Sequence, residues 1–433
     1  MHPLLHLLSD CITVTFFAVI FSYYVLLLRK PVRGKFERKF NSLTVVIPAH
    51  NEERYIEVAV RSALEADFVG TKEVLVIDDG STDRTAEIVR QMAERFEQVR
   101  LISTEHSGKS ASLNLAIAQA KGELLAILDG DSEVALEAFE VMRLDLEGHN
   151  VVATTCPILV KNRTKGLLPW LHIELIYSAL IRSIMCKVDA NVVNAFGMYR
   201  KQALIECGGF STSCLAEDMD LGVRMIRRGY RLTFNENTRI YTNLPEDPAW
   251  LLKQRVRWAR GPLNVIRQHH RLNSTLIDLY TFPLLLFGYV QGLVMGLFTI
   301  YQMSSGYLTY FVHRGQYFNF EVVRFFLDWC TITGLLRWSL GFFTGESPLN
   351  AVNIMGAMAS LLCYPLYVLA ILKFDRKIDI YHLIPLTFMA PFWWAITVVQ
   401  TYSLPEILRK ERYNIWTKET AVREPSLVPS GRR

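Results

Sequence analysis

The residues of this chain best suited to chemistry are carboxylates that recur at the ends of apolar runs. Asp129-Gly130-Asp131 closes the run ELLAIL. Two carboxylates flanking a glycine on a strand-end turn can hold a divalent cation, and the glycine lets a phosphate approach closely. A nucleoside diphosphate leaving group needs such a cation to neutralise its developing charge. Taken alone, Asp-Gly-Asp reads equally well as a solvated acidic turn. A second acidic pair, Asp78-Asp79, closes an earlier run and precedes Gly80-Ser81 and Asp83, a residue suited to capping the next helix. There Asp79 would accept hydrogen bonds from a base or ribose, although a polar strand-to-helix turn has the same composition. Gly108-Lys109 opens a further helix, where backbone N–H groups and a lysine could meet an anion.

Glu217-Asp218 lies far downstream, in CLAEDMDLGVRM. A carboxylate at this point could deprotonate an attacking hydroxyl. An acidic pair at a helix start also complements the helix dipole. Gln254-Arg255-Val256-Arg257-Trp258 combines guanidinium groups, which fork onto diphosphate oxygens, with an indole face on which a sugar ring can stack. The same five residues would suit a basic amphipathic helix resting on a membrane, and the two roles are compatible.

The elements that must position these groups alternate. LTVVIPA (43–49), EVLVIDD (73–79), VRLIST (99–104) and ELLAILDGD (123–131) have strand character, and 51–66, 83–96 and 109–120 have helical apolar spacing. This order implies βαβ units and a largely parallel sheet, with ligands beyond the C-terminal strand ends. The carboxylates fall at those ends.

Apolar residues make up 51% of the 433, and they are unevenly spread. Residues 9–28 carry a single charge, Asp10, and further apolar stretches occupy 278–301, 351–372 and 381–402. Arg29, Lys30, Arg33, Lys35, Arg38 and Lys39 follow the first stretch and mark its cytoplasmic end. Because those basic residues follow the apolar run and no small-residue cleavage site is visible, the run reads as an uncleaved anchor with its N-terminus outside. Residues 166–185 and 247–271 mix charges with apolar residues and read as amphipathic helices at the membrane surface. The basic residues of 403–433 place the tail inside, which requires an even number of later spans. A fourth span at 321–343, despite Arg324, Asp328 and Arg337, would complete that number. The net charge of +5 has no aromatic interleaving of the kind that binds nucleic acid. The seven cysteines include no C-x-x-C pair and form neither a zinc nor a disulfide pattern.

In the order VVIPAHNE (45–52), DDGS (78–81), GK (108–109), DGD (129–131), AED (216–218) and QRVRW (254–258), these motifs resemble the processive members of glycosyltransferase family 2. That group includes poly-N-acetylglucosamine, hyaluronan, chitin-oligosaccharide and cellulose synthases. The resemblance covers 43 to about 262. It implies an α/β GT-A type nucleotide-sugar-binding domain plus an α-helical transmembrane region. The parts would be an N-terminal transmembrane helix (1–30), a cytoplasmic catalytic domain with interfacial helices (40–275), transmembrane helices (276–403) and a cytoplasmic tail (404–433).

By the same resemblance, Pro48, Asn51, Glu52 and Asp79 would line the nucleoside pocket, with Lys109 and Asp129 at the nucleotide. Asp131 would ligate Mg²⁺ or Mn²⁺. Asp218 would be the base of an inverting displacement, with Glu217 beside it, and Gln254, Arg257 and Trp258 would bind diphosphate and acceptor. The implied partners are a UDP-sugar donor (UDP-N-acetylglucosamine is the expected one), a growing glycan and membrane lipids, with a small membrane subunit left open. The implied location is the plasma membrane of a bacterium. Two positions depart from the pattern: Ala216 replaces the usual threonine, and Asn194 stands where relatives keep glycine, which leaves the acceptor open. Transfer of a single sugar to a lipid, and a non-catalytic nucleotide-sugar sensor or export subunit, are the alternatives to a polymerising enzyme.

Overall fold

The computed structural model describes residues 3–30, 39–191, 196–269 and 275–408. Asn194, Arg33, Lys35, Arg38 and the basic tail from Arg409 lie outside them. The chain begins with helix α1 (Pro3–Leu27) and then enters the alternating region. Its elements are β1 (Ser42–Ala49), α2 (Ile56–Glu65), β2 (Thr71–Asp79), α3 (Thr85–Arg95), β3 (Val99–Thr104), α4 (Lys109–Gln119), β4 (Leu124–Ile127), β5 (Ser132–Val134) and α5 (Ala138–Leu146). There follow β6 (Val151–Thr155), β7 (Ile158–Val160), α6 (Leu168–Cys186), β8 (Gly197–Arg200), α7 (Lys201–Glu206), α8 (Glu217–Arg227), β9 (Arg231–Phe234), β10 (Ile240–Thr242) and α9 (Pro248–Gln268). The last part holds α10 (Phe282–Gly306), α11 (Phe320–Cys330), α12 (Ile332–Thr344), α13 (Ala351–Phe374), α14 (Ile380–Thr387) and α15 (Met389–Ser403).

The β-branched runs form a seven-stranded sheet ordered β3-β2-β1-β4-β8-β6-β9, and β5-β10-β7 form a small second sheet. The expected parallel core is present in β3, β2, β1 and β4. The sheet as a whole is mixed, because β8 runs antiparallel to both β4 and β6. Alternate residues of each central strand enter opposite layers. Val45, Ile47, Val74 and Val76 pack with α2, α3 and α5, whereas Val46, Leu75 and Ile77 pack with α4, α7 and α8. Burial on both faces explains why these strands read as continuous apolar runs.

Three helical segments, His6–Leu27, Ile277–Arg314 and Ala351–Phe374, are long and apolar enough to cross a membrane. The single span expected at 321–343 is not formed. Thr331 is extended and separates α11 from α12, Arg337 pairs with Asp328 across the break, and the two helices form a hairpin. A Cβ on Gly334 would lie 1.8 Å from the Asp328 carbonyl oxygen, so the hairpin requires a glycine there. The stretch 381–402 is also broken, into α14 and α15, bent by 68°.

Both ends of the α14–α15 pair, and its bend, are held by elements of the α/β domain. Arg163 pairs with Asp379 at 2.6 Å, Trp170 Nε1 donates to the Phe388 carbonyl at 2.9 Å, and Asn264 donates to Glu406 at 3.3 Å. The nearer ends of the three long helices are pinned to the same domain. Lys187 donates to the Leu27 carbonyl, Thr281 to the Ala190 carbonyl, and Arg239 to the Phe374 carbonyl.

The tightest of these joints is a buried polar knot. His172 on α6 and His382 on α14 each lie 2.6 Å from one oxygen of Asp375, just past α13. The Val160 N–H donates to His172 Nδ1, so Nε2 carries the proton given to Asp375. Burial disfavours the Asp375 carboxylate, but the two imidazoles and their hydrogen bonds override it and hold its pKa below the usual range. A depressed carboxylate stabilises above its unfolded pKa and loses that contribution only as pH falls through its folded one. Asp375→Ala would strand two buried ring N–H groups, a cost of about 2–4 kcal/mol. Thermal unfolding in detergent near pH 7 should show an apparent Tm several degrees lower; an unchanged Tm would mean that the knot contributes nothing.

Candidate active site

The C-terminal ends of β1, β2 and β4 meet the loops before α2, α3 and α4, and here the structure gathers most of the residues singled out in the sequence. Asp79, 4% exposed, accepts from the Ser107 N–H at 2.7 Å and the Gly108 N–H at 2.9 Å. Its carboxylate therefore fixes the loop that delivers Lys109. The Asn51 backbone is left-handed (φ 55°), and its side-chain oxygen accepts from the Thr82 N–H at 2.8 Å. The Glu52 N–H donates to Thr85 Oγ1, and a Cβ on Gly130 would come within 3.1 Å of Glu52 Cγ. Asn51, Glu52 and Asp79 thus tie the rim together, beside Pro48 in β1.

Gly108 opens α4 at φ 90°, and Lys109 projects to the centre of the site. Its ammonium lies 2.5 Å from Asp129 and 4.0 Å from Glu217. Burial opposes the charged lysine, but the two carboxylates outweigh it and raise its pKa, while Arg257 pulls the other way. One contact network thus joins Lys109, Asp129 and Glu217, with Arg257 close enough to act on it. They come from α4, the end of β4, the start of α8 and α9. Asp218, next to Glu217, is pushed up to about 7 by burial and by the neighbouring negative charge, against help from the Met219 N–H and Lys109.

The start of α8 is held from two sides. Asp220 pairs with Arg224 and with His269 at 2.7 Å each, and Arg227 pairs with Asp278 at 2.7 Å. Asn264 of α9 accepts from Cys214 Sγ at 3.2 Å and from the Leu215 N–H at 3.4 Å. A Cβ on Gly261 would stand 3.0 Å from Ala216 Cβ, so α9 crosses tightly over the loop before Glu217. On α9 the motif divides. Arg257 faces Lys109, whereas Arg255 pairs with Glu174 of α6 and stacks over the Trp258 ring at 4.5 Å. Gln254 keeps an enclosed Oε1 without a hydrogen-bond partner. Trp258 remains 39% exposed.

Asp131 lines a cavity of about 380 Å³ with Tyr55, Glu133, Lys161, Asn162 and Asn243. Asp129 and Asp131, both partly exposed on either side of Gly130, offer an all-oxygen donor set, which fits Mg²⁺ or Mn²⁺ and not a soft metal. Among the described residues, two His-carboxylate groups are also close enough to share an ion, His50–Asp79–His106 and His172–Asp375–His382. In the first, the tilted His50 and His106 rings lie with centroids 4.3 Å apart, and His106 Nε2 is enclosed and without a partner among the described residues. Both histidines flank Asp79, and sequence reasoning gave neither a role. Their positions beside Asn51 and Gly108 were the available signal.

Comparison with known proteins agrees with this geometry. Residues 44–208 match the model of glycosyl transferase family 2. The chain carries a family 2 glycosyltransferase domain. It is 28% identical over 295 residues to the probable glycosyltransferase YdaM of Bacillus subtilis, covering 63% of this chain and 70% of that one. It is also 28% identical to the poly-beta-1,6-N-acetyl-D-glucosamine synthase of Staphylococcus aureus, covering 53% of this chain and 56% of the synthase, so the match spans about half of that relative's length. A mannosyltransferase from Pyrobaculum calidifontis, solved with GDP-Man and Mn²⁺, superposes with a TM-score of 0.54 at 18% identity, covering 91% of this chain and 99% of the other. The fold is that of GT-A glycosyltransferases, and the reaction class is glycosyl transfer.

The charges around Asp218 predict a pH profile. If Asp218 serves as a base, activity is lost as pH falls through its pKa, so kcat/KM should decline below about pH 7. Lys109→Met removes a charge that favours the ionised carboxylate, and should move that limb to higher pH. Initial rates between pH 5 and 9 test both statements; a flat profile would contradict them.

Proposed function

We propose that this protein is an inverting glycan synthase that transfers N-acetylglucosamine from UDP-N-acetylglucosamine to the end of a growing polysaccharide and passes the product across the membrane. The observation that carries this reading is the convergence of Asp129, Lys109, Glu217, Asp218 and Arg257 in a domain that is itself pinned to the long apolar helices. The Staphylococcus aureus relative supports the choice of sugar.

In this scheme the nucleoside lies over the ends of β1 and β2, in a pocket shaped by Pro48, Asn51, Glu52 and Asp79. Asp131, with Asp129, would hold Mg²⁺ or Mn²⁺, which supplies charge neutralisation to the departing diphosphate. A Mn²⁺ complex of the Pyrobaculum calidifontis enzyme supports that assignment. Lys109 and Arg257 add positive charge at the same place. Asp218 takes the proton of the acceptor hydroxyl as its oxygen attacks the anomeric carbon, and the bond to the diphosphate breaks on the opposite face. Trp258, exposed on α9, offers the acceptor sugar a stacking face.

The same reading gives the chain three spans, α1, α10 and α13. The α14–α15 pair then lies along the domain-side surface, since its start, bend and end all contact α6, α9 or the loop before α6. With two spans following the catalytic domain, that domain and the basic tail share the cytoplasmic side, and the α11–α12 hairpin faces outward.

Membranes containing the protein, given a panel of radiolabelled nucleotide sugars, should convert UDP-N-acetylglucosamine into a polymer whose length grows with time. Chelation of divalent cations should stop the reaction, and Asp218→Asn should slow it by about 10²–10⁴-fold. Formation of a monoglycosylated lipid alone would rule out the synthase in favour of single-sugar transfer.

A further inference from the structure

Arg182 lies on α6, between the α/β domain and the membrane spans, and none of the sequence motifs includes it. Its guanidinium sits over the Phe234 ring, 5.7 Å from the centroid. Its Nε and Nη2 are enclosed by protein and have no hydrogen-bond partner among the described residues. These two N–H groups form one edge of the guanidinium, the fork that takes a pair of neighbouring oxygens. An enclosed donor pair without acceptors is unfavourable and is rarely retained without a ligand to satisfy it. By contrast, Arg224 of the same domain is held by the Asp220 carboxylate and by the Cys207 and Gly209 carbonyls. Cys186 stands one helical turn from Arg182, and Asn191, a few residues further on, is 4% exposed and leaves its Nδ2 without a hydrogen-bond partner among the described residues. The carboxylate whose charge reaches this guanidinium is Asp218.

We propose that Arg182, assisted by Asn191, is a specificity residue that grips two neighbouring oxygens of the acceptor sugar, a ring hydroxyl and an acylamino carbonyl, and so presents the attacking hydroxyl to Asp218. The proposal rests on the reading of Asp218 as the base. Two features favour the acceptor over the donor. The donor side of the site already has cations in Lys109 and Arg257. Arg182 approaches from the membrane-facing helix, where a growing chain would leave.

The test uses the full-length protein in lipid nanodiscs, with UDP-N-acetylglucosamine as donor and N-acetylglucosamine oligosaccharides as primers. Arg182→Met should raise the primer KM by about tenfold or more while moving the donor KM less than about twofold, and Arg182→Lys should fall between. An unchanged donor KM also shows that the variant is folded. A lower kcat with unchanged primer KM, or a raised donor KM, would overturn the proposal. Saturation-transfer NMR of primer binding separates the two layers of inference. Primer binding that depends on Arg182 in a protein without transfer activity faults the base and upholds the subsite, whereas binding indifferent to Arg182 in an active enzyme overturns the subsite alone.

Discussion

The pairing of Lys109 with Asp129 and Glu217 is the interaction on which the site depends. Several carboxylates converge within a few ångströms at the strand ends, and such a cluster is self-repelling unless cations are built into it. Lys109 bridges the end of β4 to the start of α8, two elements far apart in sequence. Its own position is set by Asp79, whose carboxylate accepts the backbone N–H groups of Ser107 and Gly108. The acidic pair at the end of β2 therefore acts one step back from the chemistry, by holding the loop that carries the lysine. Burial, and after it the neighbouring Glu217 charge, raises Asp218 into the neutral range.

A second constraint is that α8 and α9 be held in fixed relation. Gly261 allows α9 to pass close to Ala216, and Asn264 links that loop to Glu406 beyond α15. The charged groups of the candidate site are thereby joined mechanically to the segments packed on the long apolar helices. The His172–Asp375–His382 knot makes the corresponding joint at the other end of the interface. Under the proposed function a product passes from a soluble site to a membrane path, and rigid joints would serve that transfer, because small displacements at a reacting centre are costly.

Much of the α/β domain was legible in the sequence. Strand runs such as LTVVIPA and EVLVIDD are buried on both faces and carry an unbroken β-branched signal. The carboxylates fell where strands of a parallel sheet end, and the structure joins Asp129, Glu217 and Lys109 there in one network. The antiparallel β8 was not legible, since a four-residue strand has no distinctive period. The membrane region was read less well. Hydropathy registers apolar length but not breaks, so the Thr331 and Phe388 bends were invisible, and an even number of spans was sought in 321–343. Asn51 and Asp79 were expected to face a nucleoside, yet their polar atoms are largely taken by neighbouring loops. Arg182 gave no signal, because an arginine in an amphipathic helix looks like any surface cation until its burial is seen.

Binding of UDP to the purified protein, measured by calorimetry with and without Mn²⁺, tests the central claim most directly. If the Asp129–Asp131 edge holds a metal against the diphosphate, Mn²⁺ should tighten UDP binding by about tenfold or more, and Asp131→Ala should abolish that gain. Equal UDP affinity with and without Mn²⁺, or an Asp131→Ala protein that keeps the full gain, would contradict the account.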